Sequence, residues 1–173
     1  DAIEADAAYE RFEPNTRIDV TMAMAELDHE TGAYASARER LATVLARAAV
    51  VERPEMALAV MVRLARLEAD VGRLEAARRS AARAEVVASG LSHPHLRSHA
   101  NLTVALIAWL AGDVPGALEA LRQVDLAGEA GEGAVMWRTL GLLLGEPHHA
   151  ADLAMLVAEG LGPDAVAIRE VTD

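Results

Sequence analysis

An all-α fold, an array of helix pairs stacked side by side, is what this sequence of 173 residues predicts. Three observations carry that expectation. Gly32, Gly72 and Gly112 stand forty residues apart, and Ala25/Ala65/Ala105 and Ala37/Ala77/Ala117 keep the same interval. A fixed period of this size is the signature of repeat architecture. Apolar columns run in the same register: Leu27/Leu67/Ile107, Met24/Leu64/Val104, Tyr34/Leu74/Val114, Leu41/Ala81/Leu121 and Val44/Ala84/Val124. Finally, hydrophobic residues make up 53 % of the chain but aromatics only 3 %. A core of Ala, Leu and Val suits close-packed helices better than a β-sandwich rich in aromatic and β-branched residues.

The elements follow in order. Residues 1–13 place Ile3, Ala7, Ala8 and Phe12 at helical spacing, with Pro14-Asn15 as the stop; they read as the tail of an earlier unit or a cap. The first unit, about 16–50, has a helix from Thr16 to Thr31, a turn at Gly32 and a second helix from Tyr34 to Val50. Gly32 sits where a helix C-terminus needs a left-handed residue, which glycine enters without steric cost. The second unit, about 54–89, opens at Pro54, which has no N–H to leave unsatisfied in a first turn. Its first helix runs to Val71, Gly72 breaks it, and the second spans Leu74 to Ser89, followed by a linker from Gly90 to Pro94.

The third unit, about 95–127, has a helix from His95 to Ala111, the break at Gly112, and Asp113 as N-cap with Pro115 in the first turn of a helix reaching about Leu126. The loop Gly128–Gly133 closes it. The fourth unit, about 134–160, is degenerate: Val135–Leu144, the break Gly145-Glu146-Pro147, then His148–Glu159. Arg138 stands seven residues before its glycine, where the other units carry Ala, although Ala150 keeps the second Ala column. Gly160 to Pro163 stops it, and residues 163–171 hold a last short helix. Terminal repeats depart from the pattern because one face has no neighbour.

Composition narrows the function classes. All sixteen positive charges are Arg, and 38 Ala residues accompany them, the profile of a high-GC bacterial genome. A formal net charge of −11 disfavours a nucleic-acid-binding surface, which needs a positive field to displace counterions. The absence of Cys excludes disulfides, thiolate metal sites and a Cys nucleophile. Charged residues interrupt every apolar run short of a membrane span, and a cytoplasmic location is the expectation. The first residue is Asp, as expected of an excised or processed chain.

Gly32-x-Tyr34-x-x-Ala37-x-x-x-Leu41 resembles the central turn of a tetratricopeptide repeat (TPR), as do Gly72-x-Leu74-x-x-Ala77 and Gly112-x-Val114-x-x-Ala117. Trp137-x-x-Leu140-Gly141 looks like the opening of that repeat, out of register with Gly145. The resemblance spans about residues 16–160. The forty-residue period is similar to repeat regions of large bacterial transcription regulators of the LuxR-type, MalT-like class, and of Streptomyces-type antibiotic regulatory proteins. It implies a right-handed superhelical solenoid of about four helix hairpins, a single domain over 1–173, with DNA-binding and nucleotide-binding domains elsewhere in the full protein.

In such repeats the first helices line a concave groove. Carried onto this sequence, the groove comprises Met22, Glu26 and His29, then Val62 and Arg66, then His99, Leu102, Leu106 and Trp109. Carboxylate-clamping members of the family use Lys and Asn there. This chain has Met22/Glu26, Val62/Arg66 and Leu102/Leu106 instead, an apolar groove suited to an amphipathic helix or a neighbouring domain.

Sharper chemistry finds less support. His95 and His99, four apart on a helix with His93 before them, raise the question of an imidazole metal site, but a third ligand is not evident and Leu96 stands where a zinc-protease helix has Glu. The pair His148-His149 points in two directions. The loop Gly128–Gly133 lacks Gly-Lys-Ser/Thr and carries two Glu that would repel phosphate. Burial between units outweighs ligand contact for Trp109, and a structural ion pair or solvated surface outweighs a partner carboxylate for Arg66. Arg38-Glu39-Arg40 and Arg78-Arg79 read as solvated faces, with Glu75 able to pair with either Arg of the second run. The expectation is a non-enzymatic protein-protein interaction module of a bacterial multidomain regulator. It needs no cofactor or metal, and it holds a partner protein, a peptide or its own effector domains without touching nucleic acid or membrane. A small-effector sensor and a self-assembly module are the alternatives.

Overall fold

The computed structural model describes residues 13–50, 52–125 and 132–145. Most of the 1–13 segment, the first part of the 128–133 loop, the second helix of the fourth unit with His148, His149 and Ala150, and the 163–171 helix lie outside the described residues.

Among the described residues the chain is all-α, without a strand. Its helices are α1 (Pro14–Glu30), α2 (Tyr34–Val50), α3 (Pro54–Asp70), α4 (Leu74–Ser89), α5 (Pro94–Leu110), α6 (Val114–Arg122) and α7 (Glu132–Leu143). The chain divides into two compact units, Asp1–Val87 and Ala88–Asp173. In the first, α1 packs on α2 and α2 on α3; in the second, α5 packs on α6, and α7 touches both.

The forty-residue period is a backbone fact. Each first helix opens on a proline at its first position, Pro14, Pro54 and Pro94, themselves forty apart. Two of these starts therefore fall one or two residues earlier than the expected Thr16 and His95. A ring with φ preset for the helix and no N–H to satisfy is suited to that place. Each first helix also ends in the same turn. The N–H of Ala33, Arg73 and Asp113 reaches back to the carbonyl of Asp28, Glu68 and Ala108 at 2.7, 2.7 and 2.9 Å. The N–H of Gly32, Gly72 and Gly112 meets His29, Ala69 and Trp109 at 3.0, 2.8 and 2.9 Å. These paired bonds need a residue with positive φ at the helix exit, and the three glycines supply it at +80°, +77° and +78°. Gly145 ends α7 at +86°.

The two alanine columns are fully packed. Ala25, Ala65, Ala105, Ala37, Ala77 and Ala117 are each 0–1 % exposed. So are the columns that follow: Leu41, Ala81 and Leu121, and Val44, Ala84 and Val124, the last just beyond its helix, are all buried. The other expected columns hold only in part. Leu27 is 59 % exposed although Leu67 and Ile107 are buried, and Met24, Tyr34 and Val114 are also exposed. Leu67 packs into a cluster with Ile18, Leu41 and Val60, a contact that draws on the helix pair before it.

The third pair departs from expectation at its end. Asp113 caps α6, its Oδ1 accepting from the Gly116 N–H at 3.0 Å. The helix stops at Arg122, four residues short of Leu126. The reason lies in α5: Ser98 Oγ accepts from the Asp125 N–H at 3.1 Å and lies 3.2 Å from its carbonyl, and Asn101 Nδ2 donates to the Gln123 carbonyl at 3.3 Å. Side chains on a buried face take backbone groups that a longer helix would have satisfied within itself.

Candidate functional site

In the first unit, the expected groove residues sit on α1 and α3. Met22 is 7 % exposed and belongs to the hydrophobic cluster of Ile18, Ala25 and Leu41, so it is a core residue and not a lining one. Glu26 is half-buried and forms an ion pair with Arg63 of α3. His29 Nε2 lies 2.7 Å from Asp70 Oδ2, and its ring meets the edge of Tyr34. The α1–α3 face is thus laced by two polar pairs, Glu26–Arg63 and His29–Asp70, neither of which the apolar-groove expectation contains. Val62 and Arg66 are half-buried on α3.

In the second unit, Leu102 is fully buried with Ala105, Leu121, Val124 and Leu140, and like Met22 it is core and not lining. Leu106 and Trp109 pack half-buried against that cluster, and His99 is half-buried. The register alone could not separate these cases, because one turn of a first helix carries both core-facing and groove-facing positions. His93 and His95 meet edge to face at 5.8 Å. Among the described residues no three His, Asp or Glu side chains group as they must to hold a metal ion. In α7, Arg138 is 4 % exposed, with its guanidinium 5.3 Å from the Trp137 ring centroid. The aromatic face of Trp137 is one contact that offsets part of the cost of burying this guanidinium where the other units carry an alanine.

A second surface of the first unit was not visible in the motif. An open groove of about 1330 Å³ lies along α2, the C-terminal half of α3 and α4. Its walls are the small side chains Ala42, Ala46 and Ala76, and Leu64 and Val71 contribute apolar surface. Arg38, Arg73, Arg79 and Arg83 also line it, with Glu39 and Glu68.

The charge run Arg38-Glu39-Arg40 is not simply a solvated face. Glu68 is only 4 % exposed, and it receives Arg38 Nε at 2.6 Å and Arg73 Nη1 at 3.4 Å. Arg40 Nε donates to Asp28 Oδ2 at 2.7 Å, and Ser36 Oγ donates to the same oxygen at 2.5 Å. The Ser36 and Arg40 hydrogen bonds hold the Asp28 carboxyl below its ordinary value of 3.8. Arg78 pairs with Glu75 at 3.2 Å, one of the two partnerships expected for that glutamate. A forty-residue comparison holds the signal for these contacts: positions 28, 68 and 108 are Asp, Glu and Ala, two acids facing arginines across a turn.

The fold is similar to that of a solved protein. The crystal structure of BtubC (BKLC) from P. vanneervenii matches with a TM-score of 0.66 at 16 % identity, over 97 % of this chain and 73 % of that one. At that identity the likeness is one of helical fold. No family model matches the sequence, and no curated protein matches it.

Proposed function

We propose that this chain is a non-catalytic protein-interaction module: TPR-like helix pairs stacked as a solenoid, belonging to a bacterial multidomain regulator, with the first helix of each pair presented to a partner protein or a neighbouring domain. The observation that carries the reading is the threefold identity of the turns at Gly32, Gly72 and Gly112, each preceded by a proline-started helix and followed by a buried alanine. A scaffold whose columns serve packing leaves the positions between them to recognition. On α3 those positions are Val62 and Arg66, half-buried and beside the Glu26–Arg63 ion pair and the His29–Asp70 hydrogen bond that link α1 to α3.

The test is capture of the partner by the full chain, comparing wild type with Val62→Glu/Arg66→Glu, and with thermal unfolding recorded for both. The double variant is expected to lose the partner while keeping its unfolding transition. Undiminished capture by a folded double variant would remove the α3 face from the reading.

A further inference from the structure

We infer that the groove along α2 and α4 of the first unit docks an acidic amphipathic helix of a partner protein. The inference rests on the reading of the chain as an interaction module but names a different surface and the chemistry of its occupant. Charge is the first argument. The chain carries −11, yet four arginines and two glutamates line this groove. Glu68 is buried and engages Arg38 and Arg73, so, with the exposed Glu39 counted, four positive and two negative side chains leave the groove lining a formal surplus of two positive charges inside an acidic protein. Arg79 and Arg83 stand one turn apart on α4, both exposed, and among the described residues neither has an ion-pair partner. Two guanidiniums at that spacing match carboxylates at i and i+4 of a facing helix, each offering a bidentate fork.

Shape is the second argument. A volume of about 1330 Å³ exceeds the roughly 300–1,000 Å³ typical of small-molecule pockets, and its open form suits a segment of chain laid along it. Ala42, Ala46 and Ala76 leave room where larger side chains would close the space, and Leu64 and Val71 receive an apolar stripe. An amphipathic helix with leucines on one face and glutamates flanking them satisfies both the floor and the rim. A nucleic acid does not, because four arginines set against the field of an acidic chain release too few counterions for useful affinity.

The experiment is fluorescence anisotropy of the full chain with a labelled helical peptide of about four turns, leucine on one face and glutamate beside it. Two control peptides replace the glutamates with lysine or the leucines with serine. Binding of the first peptide alone, weakening as salt is raised, is expected. Arg79→Glu/Arg83→Glu should weaken it roughly tenfold or more, and Ala42→Trp, which fills the groove from an exposed position, should abolish it. Thermal unfolding of both variants should match wild type. No binding of the acidic peptide overturns the inference, as does equal binding of the serine control, which would mean that charge alone is read. Binding that ignores the α4 arginines but falls with Val62→Glu/Arg66→Glu also overturns it, while leaving the interaction-module reading in place.

Discussion

In the first compact unit the second helices, α2 and α4, run 17 and 16 residues; in the second unit their counterpart α6 stops after 9. All three begin in the same way, with Ala37, Ala77 and Ala117 each donating to the carbonyl four residues earlier at 2.9–3.0 Å. The difference arises one helix back. Ile18 and Leu58 are buried apolar residues, whereas the third member of that column, Ser98, is a buried hydroxyl. The neighbouring column reads Thr21, Met61 and Asn101. Beside the apolar Ile18 and Leu58 the second helix runs on, and the buried Thr21 hydroxyl is satisfied within its own helix by the Arg17 carbonyl. In the third pair, Ser98 and Asn101 engage the backbone at residues 123–125 and the chain leaves the helix. Turn register decides where a helix begins, and column chemistry decides where it ends.

A second contrast lies in the turns themselves. Asp28 joins α1 to α2 through Ser36 and Arg40, Glu68 gathers Arg38 and Arg73, and Ala108 does neither. The first unit is therefore braced by side-chain charge at its turns, while the turn at Gly112 relies on backbone bonds and the Asp113 cap.

The largest expected effect comes from the packing that both units share. Ala77→Phe should destabilise by about 1–3 kcal/mol through overpacking, whereas Ala76→Phe, at a half-buried position lining the open groove, should shift thermal unfolding far less. Equal shifts would break the idea that the alanine column sets the helix spacing. Next is the polar column of the second unit. Ser98→Ala strands the Asp125 N–H and should cost about 1–2 kcal/mol in chemical denaturation, with Ser92→Ala, at an exposed linker position, close to neutral.

A gain is expected at the α2–α3 connection. Glu52 takes φ +52°, and the following Arg53 N–H bonds to the Ala48 carbonyl at 3.1 Å, so this turn repeats the glycine turns without a glycine. Glu52→Gly should stabilise by roughly 0.5–1 kcal/mol by removing left-handed strain, and a lower midpoint would show that the Glu52 side chain has a role the backbone does not reveal.

The smallest effect separates the turns by pH. Because the folded state lowers the Asp28 pKa, its contribution is present above the ordinary value of 3.8 and is lost as pH falls through the lowered one. The difference in melting temperature between wild type and Asp28→Asn should therefore be seen near neutrality and close in strong acid. A gap that persisted unchanged at acid pH would mean that the carboxylate charge is not what braces the first turn.

Much of this was legible in the sequence, for reasons that can be named. Gly32, Gly72 and Gly112 mark helix exits because few other residues tolerate positive φ, and the alanine columns mark close helix contacts because only small side chains fit there. The prolines at 14, 54 and 94 carried the same interval and fixed the helix starts, although Pro14 reads equally well as the end of a preceding segment. The candidate site was less legible. Met22 and Leu102 share the register of groove positions but turn into the core, and the arginines of the α2–α4 groove look like ordinary surface charge until α3 brings Glu68 beside Arg38.

Local chain chemistry by itself determined the helices, their period and their turns, since proline, glycine and alanine act through the φ, N–H and side-chain volume of single residues. Tertiary structure decided which polar residues meet. Glu68 and Arg38 lie thirty positions apart, as do, nearly, Ser98 and Asp125 at a separation of 27. Whether a charge at such a distance becomes a buried partner or a solvated one depends on how two helices are rotated against each other, which no single stretch of sequence specifies.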